Sequence, residues 1–381
     1  MLPFLELSKQ LVAKGVEVLF ISTPRNIQRL PSISPDLRGN LKLVAFPLPF
    51  VNGLPENCEA TIDLQLKQVQ YLKKAYDMLQ MPMENLMQIA AKCGVLFFYF
   101  STLPAVTLSF FDLMVAPNWF PFPSLLAHRP DQAAMMIRNV NIPDKSGKTS
   151  GQRWAGSLEG YDFVSIRSCP DFEEAYLNPL QEMYQKTVIP VGLVPPNLIE
   201  SETNNSPDSN WSSSFKWLDQ QEPKFVVFVA FGSEYKMPTD QIQELAFGLE
   251  LSDSEQPFSM DYSLPNGFLA RTSSRGIVSL GWAPHRRILA HPAIGLCILH
   301  CGWSSTIETF GFGQPSIPMS MMTDQDLNAK LLIEQGVGFE VPRNEDGSFN
   351  GCAVAKSIKV VMVWKEGEPS LMAQRKMVCR M

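Results

Sequence analysis

Between Trp282 and Gln325 the chain sets out its chemically able residues in close order: Trp282-Ala283-Pro284-His285, then His300-Cys301-Gly302-Trp303-Ser304-Ser305-Thr306-Ile307-Glu308, then Asp324-Gln325. The apolar run Ala293 to Leu299 reads as a strand, His300 to Trp303 as a turn with a glycine, and Ser304 and Ser305 as the opening of a helix. A helix N-terminus presents unpaired N–H groups and partial positive charge, which suits a phosphate. His300, at the strand end, can add a hydrogen bond to a diphosphate. Glu308 stands one turn along the helix, where a carboxylate can accept both hydroxyls of a ribose. Trp282 offers a flat face for a base to stack on. Asp324 and Gln325 form a polar pair ahead of the next helix and can read sugar hydroxyls. Together these residues suit the holding of a base, a ribose, a diphosphate and a sugar.

Plainer readings compete at several positions. Cys297, His300 and Cys301 could suggest a metal site, but no second ligand pair lies nearby, and zinc wants about four ligands. Cys297 reads better as a buried strand residue. His128, among Ala127, Arg129 and Pro130, reads as an exposed loop residue. Trp211 and Trp217 suit a domain junction. Met81, Met83 and Met87 read as core rather than as a cofactor box. Ser233, in the turn Phe231-Gly232-Ser233 after an apolar strand, is a weak phosphate contact by itself and gains weight beside the longer segment.

The elements that must position these residues alternate along the chain. Leu2 to Ala13 has helical spacing and ends at Gly15. Strands are expected at 16–21, 41–46, 95–100, 163–166 and 188–191, with helical patterns between them, such as Leu64 to Leu79. The polar stretch Glu200 to Ser214 interrupts the series. A second series follows, with strands at 225–230, 277–278, 293–299, 316–319 and 338–341 and a helix from Thr239, as its cap, through Leu251. The pattern predicts an α/β protein of two Rossmann-like domains with parallel sheets facing across a cleft, ligand bound beyond the strand ends. The expected boundaries are 1–196, a linker at 197–222, and 223–381. Two places break the alternation. Leu64 to Leu79 and Glu84 to Lys92 read as consecutive helices with no strand between them, and Ser252 to Ser263 is polar and acidic where a strand is due. Each reads as a lost βα piece.

Composition narrows the function class. The 381 residues allow two domains, and 45 % hydrophobic with 18 % charged residues fits large buried cores. A net charge of −6 argues against a nucleic-acid partner held through phosphates. The seven cysteines are scattered and odd in number, which suits free thiols in a reducing compartment. No basic n-region precedes the first apolar residues. Val95 to Phe111 is uncharged but short for a bilayer and reads as a strand and helix, so no integral membrane segment is expected. A cytoplasmic protein is the expectation.

The segment from Trp282 to Gln325 resembles, over its full length and without insertion or deletion, the signature box of the plant UDP-dependent glycosyltransferases of family 1. The resemblance implies a GT-B fold and inverting transfer of a hexosyl group, glucose or rhamnose, from a UDP-sugar to a hydroxyl of a small plant metabolite or its glycoside, without metal or other cofactor. It implies that Trp282 stacks on uracil and the Ala283 backbone pairs with it, that His300, Ser304 and Ser305 hold the diphosphate, and that Glu308 holds the ribose. Asp324, Gln325 and Trp303 would contact the sugar, Ser233 would be a second phosphate contact, and His285 and Gly302 belong to the same binding set. Where His285 stands the family usually has glutamine, and where Ser304 stands, asparagine; both replacements hydrogen-bond, so altered affinity is expected. Leu2 to Lys9 and Ile21 to Asn26 resemble the branch of rhamnosyl- and glucosyltransferases acting on flavonoid or terpenoid glycosides. A monomer is expected.

The family's catalytic base is a histidine after the first N-terminal strand, supported by an aspartate. Met1 aligns just after that histidine, and the aspartate segment, which would precede Ile89 to Gly94, has no counterpart. No catalytic residue is therefore assigned. A UDP-sugar-binding pseudoenzyme or an incomplete gene product stands as the alternative to an active enzyme.

Overall fold

The computed structural model describes residues 1–95, 97–111, 137–138, 140–158, 161–196, 211–232, 237–252, 256–258, 264–279, 283–321, 324–344 and 346–362. His128 and Ser233, Trp282 and most of the polar linker lie outside them.

The N-terminal domain runs α1 (Leu2–Ala13), β1 (Val18–Ser22), α2 (Pro24–Gln28), β2 (Leu41–Ala45), α3 (Val69–Asp77), α4 (Gln80–Lys92), β3 (Phe98–Ser101), α5 (Ala105–Phe111), α6 (Ser150–Leu158), β4 (Phe163–Ile166), α7 (Pro170–Tyr184) and β5 (Thr187–Pro190). The strands form two separate parallel sheets, β1-β2 and β3-β4-β5. The first sheet and α1 enclose a small core of Leu5, Val12, Phe20, Ile33 and Leu41. Its other face carries Leu19 at 60 % exposure, so among the described residues nothing covers that side of the strand pair.

The expected helix at Leu64 to Leu79 is shorter than its pattern. Single 3-10 turns occupy Thr61–Asp63 and Leu66–Gln68, and regular helix starts at Val69. The cause is local: Asp63 accepts from the Glu59 and Ala60 amides, and the Gln68 side chain accepts from the Gln65 amide, so each turn is closed separately. The core reading of Met81, Met83 and Met87 is also corrected. Helix α4 buries none of its residues, and Met81 is 71 % exposed. It follows α3 directly, without a strand to give it a sheet face to cover.

After α8 (Ser212–Leu218) the C-terminal domain runs β6 (Val226–Ala230), α9 (Thr239–Leu251), β7 (Gln256–Phe258), α10 (Phe268–Thr272), β8 (Gly276–Val278), α11 (His285–Leu289), β9 (Ile294–Leu299), α12 (Trp303–Gly311), β10 (Ser316–Pro318), α13 (Asp324–Glu334) and α14 (Gly351–Met362). Five strands form one parallel sheet in the order β10-β9-β6-β7-β8. β6 and β9 are central and apolar throughout, as strands covered on both faces must be. The expectation of a lost strand within Ser252 to Ser263 is corrected by β7. It bonds to β6 through one pair, Val229 with Phe258, and to β8 through three. Backbone groups between two strands need partners whatever their side chains, and that need outweighs the polar composition. The expected strand at 338–341 is reduced to one bridge, Ser316 to Gly338. Pro238, not Thr239, takes the N-cap position of α9, and no side-chain cap bond forms there.

Helices α9 and α14 cover one face of this sheet with Leu245, Leu249, Val354 and Ile358. The core on the other face joins the two domains: Ile307, Phe310 and Leu331 share it with Val106, Phe110, Ile166 and Phe172. Trp211 and Trp217 pack against it, the junction role their positions suggested.

Candidate functional site: a nucleotide cradle at the domain junction

The carboxyl ends of β6 and β9 are adjacent, with Ala230 opposite Leu299. The chain leaves β6 through Phe231-Gly232 and β9 through His300-Cys301-Gly302, so two loops meet at the point where parallel sheets bind ligands. The His300 imidazole lies between them. A Cβ on Gly232 would fall 2.9 Å from its Cε1 and Nε2, and one on Gly302 would fall 2.7 Å from Nε2. Gly232 also has φ +69°, so both sterics and backbone demand glycine there.

Gly302 is the N-cap of α12, with no side-chain cap bond. The first intrahelical bond of this helix is Thr306 N–H to the Gly302 carbonyl at 3.0 Å. The amides of Trp303, Ser304 and Ser305 therefore point out of the helix end beside His300 Nε2, which suits an anion. Burial pushes the His300 pKa below its ordinary value of 6.5, the Ala230 backbone opposes this, and the neighbouring His285 lowers it further. Its Nδ1 is buried without a hydrogen bond of good geometry, although the Ala230 backbone is near enough to favour the charged form. An anion placed beside this ring would favour its charged form against that burial.

Glu308 is buried to 7 % exposure, and one carboxylate oxygen is engaged by His285 Nε2. His285 opens α11, so the residue standing where the family has glutamine holds the carboxylate assigned to ribose. Asp324 accepts from Asn328 Nδ2 at 3.1 Å, and Asn328 also donates to the Cys301 carbonyl at 2.8 Å, tying α13 to the β9 turn. Gln325 is 5 % exposed and accepts from the Met321 amide at 3.0 Å. Trp303 faces the junction: its ring stacks on Phe172 at 5.8 Å, and Nε1 donates to the Arg167 carbonyl at 2.8 Å. Its indole donor is spent there, which leaves its main chain for the cradle. Cys297 and Cys301 are fully buried, and burial pushes both thiols far up. Among the described residues no group of three or more His, Cys, Asp or Glu could hold a metal ion.

Sequence reasoning missed Arg167. It follows β4, is 2 % exposed, and donates Nε to Leu193 O (2.7 Å), Nη2 to Val194 O (2.9 Å) and Nη1 to Ser304 Oγ (2.8 Å). Burial lowers its pKa to about 10, with Glu308 and Glu6 opposing that shift. The available signal was a charged side chain directly after the apolar strand Phe163–Ile166, at the strand end where ligands gather. The partner Ser304 could not be read, since it lies in the other domain.

Two α/β domains, with this cradle at the strand ends of the second, define a nucleotide-dependent enzyme of the GT-B type. Solved structures carry the same fold: UGT89C1 of Arabidopsis thaliana complexed with UDP-L-rhamnose has TM-score 0.76 at 20 % identity over 100 % of this chain and 90 % of that one. UGT2 of Phytolacca americana, complexed with UDP-2fluoro-glucose and pterostilbene, has TM-score 0.69 at 23 % identity over 99 % and 90 %. Residues 180–362 match the family described as UDP-glucoronosyl and UDP-glucosyl transferase. UDP-glycosyltransferase 91C1 of Arabidopsis thaliana is 36 % identical over 97 % of this chain and 87 % of its own length. Soyasaponin III rhamnosyltransferase of Glycine max is 34 % identical over 96 % and 85 %. The chain belongs to the plant UDP-glycosyltransferase family, whose members are transferases. These two alignments run over 406 and 407 positions, more than the 381 residues here, so the relatives carry internal segments without counterpart in this chain. Among the described residues no helix is long and apolar enough to cross a membrane.

Proposed function

We propose that this protein binds a UDP-hexose, glucose or rhamnose, and transfers the hexosyl group with inversion to a hydroxyl of a small plant metabolite or its glycoside. The observation that supports donor binding is the His300 imidazole seated between Gly232 and Gly302 at the open end of α12. In this reading the α12 amides, Ser304, Ser305 and His300 carry the diphosphate, and Glu308 accepts from the ribose hydroxyls. Ser233 adds a phosphate contact, and Trp282 and the Ala283 backbone hold the uracil. Asp324, Gln325 and the Trp303 main chain face the hexose. The helix end and His300 supply the positive field, so no metal is required. The acceptor class is carried over from relatives: one is named a rhamnosyltransferase of soyasaponin III, and another a glucosyltransferase of β-D-glucosyl crocetin.

A second reading is a UDP-sugar binder with impaired transfer. The four histidines are His128, His285, His291 and His300, so residues 1–127 offer none as a base towards an acceptor. His285 engages Glu308, and His300 is enclosed by the phosphate loops. A positioned base is worth about 10²–10⁴-fold in rate. Calorimetry with UDP in chelator, followed by an assay of UDP release and product from UDP-glucose and UDP-rhamnose against flavonoid and terpenoid glycosides, separates the readings. Binding with turnover supports transfer. Binding without turnover supports the second reading, and no binding by folded protein overturns both.

A further inference from the structure

Among the described residues Arg167 is a buried cation without an ion pair; the Glu308 and Glu6 carboxylates act on it only through their fields. Its three side-chain hydrogen bonds go to two carbonyls and one hydroxyl. Burial of a guanidinium is costly unless a negative charge answers it. The loop that receives it is strained: Val194 has φ 47°, a left-handed conformation that a β-branched residue rarely adopts, two residues after Gly192 at φ 81°. That loop aims two successive carbonyls at the guanidinium. The backbone of the same arginine is tied to the cradle helix, since its carbonyl accepts from Trp303 Nε1. Residue 167 therefore grips the first turn of α12 twice, from the opposite domain.

Its effect on Ser304 follows from hydrogen-bond chemistry. A hydroxyl has one proton and two lone pairs. A guanidinium can only donate, so Nη1 takes a lone pair of Ser304 Oγ and cannot receive its proton. The hydroxyl proton is turned away from Arg167 and is free to donate at the end of α12, where the amides of Ser304 and Ser305 also point.

We propose that Arg167 is a positioning residue of the donor site: from the N-terminal domain it orients the Ser304 hydroxyl towards the donor's diphosphate and supplies a buried positive charge that the diphosphate answers. This rests on the reading of the cradle as a UDP-sugar site. It makes the donor site a product of both domains, with the strained Leu193-Val194 turn holding the arginine in register.

The test is a double-mutant cycle on the full chain with Arg167→Met, Ser304→Ala and both together, titrating UDP, inorganic diphosphate and uridine, with thermal midpoints recorded for each. Arg167→Met should weaken UDP and diphosphate by about 10- to 100-fold and leave uridine within about twofold. Ser304→Ala should weaken UDP less, and should add little once Arg167 is gone. Arg167→Lys keeps a charge without the fork, and should recover part of the UDP affinity but not the coupling to Ser304; it also carries the test should the methionine variant not fold. UDP affinity unchanged in either folded arginine variant, equal loss for uridine and UDP, or independent Arg167 and Ser304 effects overturns the proposal while leaving the UDP-site reading in place. A wild-type protein that binds no UDP overturns that reading, and this inference with it.

Discussion

At the residue scale the cradle is tuned by what surrounds two imidazoles. Burial lowers His300 below 6.5, whereas a bound diphosphate favours its charged form. Binding of an anionic donor should therefore take up a proton, and affinity should rise as pH falls. UDP-glucose is the ligand of choice because its diphosphate is doubly esterified and does not titrate near neutrality. Its affinity should be several-fold higher at about pH 5.5 than at about pH 8 in wild type, and His300→Asn should flatten the dependence. The titratable group that acts on this ring is His285, so a His285→Gln control separates the two imidazoles. The folded state without ligand behaves oppositely. A histidine with lowered pKa contributes stability that is present above 6.5 and lost as pH falls through its folded value. Glu308→Ala should cost UDP about 1.5–3 kcal/mol of binding and leave inorganic diphosphate nearly unaffected. An equal loss for both ligands, measured by calorimetry, would show that the carboxylate serves the phosphates. The identities of these residues and their order around the β9 turn were legible in the sequence. The His285–Glu308 pair, and the burial of Trp303 and Gln325, were not, since they depend on what other elements place against them.

At the element scale one buried carboxylate organises the N-terminal domain. Glu173, 1 % exposed, accepts from the Ala105 amide at 3.1 Å and the Val106 amide at 2.8 Å, and from the Ser168 hydroxyl. It thereby caps α5 from another helix, at a point where α7 departs from helical geometry at φ −135°. Burial raises its pKa from 4.5 to about 7, with the three donors opposing. The folded state then holds the proton more tightly than the unfolded chain. Its contribution is full below the ordinary carboxylate range and is lost as pH climbs through about 7, by an amount on the order of 3 kcal/mol. Denaturant unfolding of wild type and Glu173→Gln at about pH 5 and pH 7.5 measures this; the variant should lose that part of the slope. Helix α4 gives the contrasting case. Ile89 is 61 % exposed, so Ile89→Lys should change stability by less than about 0.5 kcal/mol. Leu249→Ala, at 1 % exposure beneath α14, should cost about 2–5 kcal/mol.

At the scale of the whole molecule the two domains are not equally built. The C-terminal sheet is continuous and covered on both faces, and its junction core reaches α5 and α7 of the N-terminal domain. Thr107 Oγ1 meets Asn328 Oδ1 at 2.9 Å and Tyr176 donates to Glu334 at 2.9 Å across the same junction. The α1-β1-β2 unit has its own small core and an exposed apolar face, with Phe4 against Phe100 at 5.2 Å as one of its ties to the rest. Amide exchange should accordingly run in two steps: β1 and β2 should exchange well before β6 and β9 under conditions that keep the protein folded. Equal protection of the two sheets, followed by mass spectrometry, would show that the first unit shares the stability of the second.

Local order and tertiary assembly divided the work along a physical line. A strand, a glycine turn and a helix start within a dozen residues fix an open helix end whatever surrounds it, so the β9 turn and the parallel fold could be read from residue spacing and hydrophobic period. Contacts between residues distant in sequence depend on how the domains dock. That is why Arg167 reaching Ser304 across 137 positions, Glu173 capping α5, strand β7 within a polar stretch and the exposed α4 came only from the folded structure. In each case backbone partners, buried charge or missing cover outweighed what the local sequence favours.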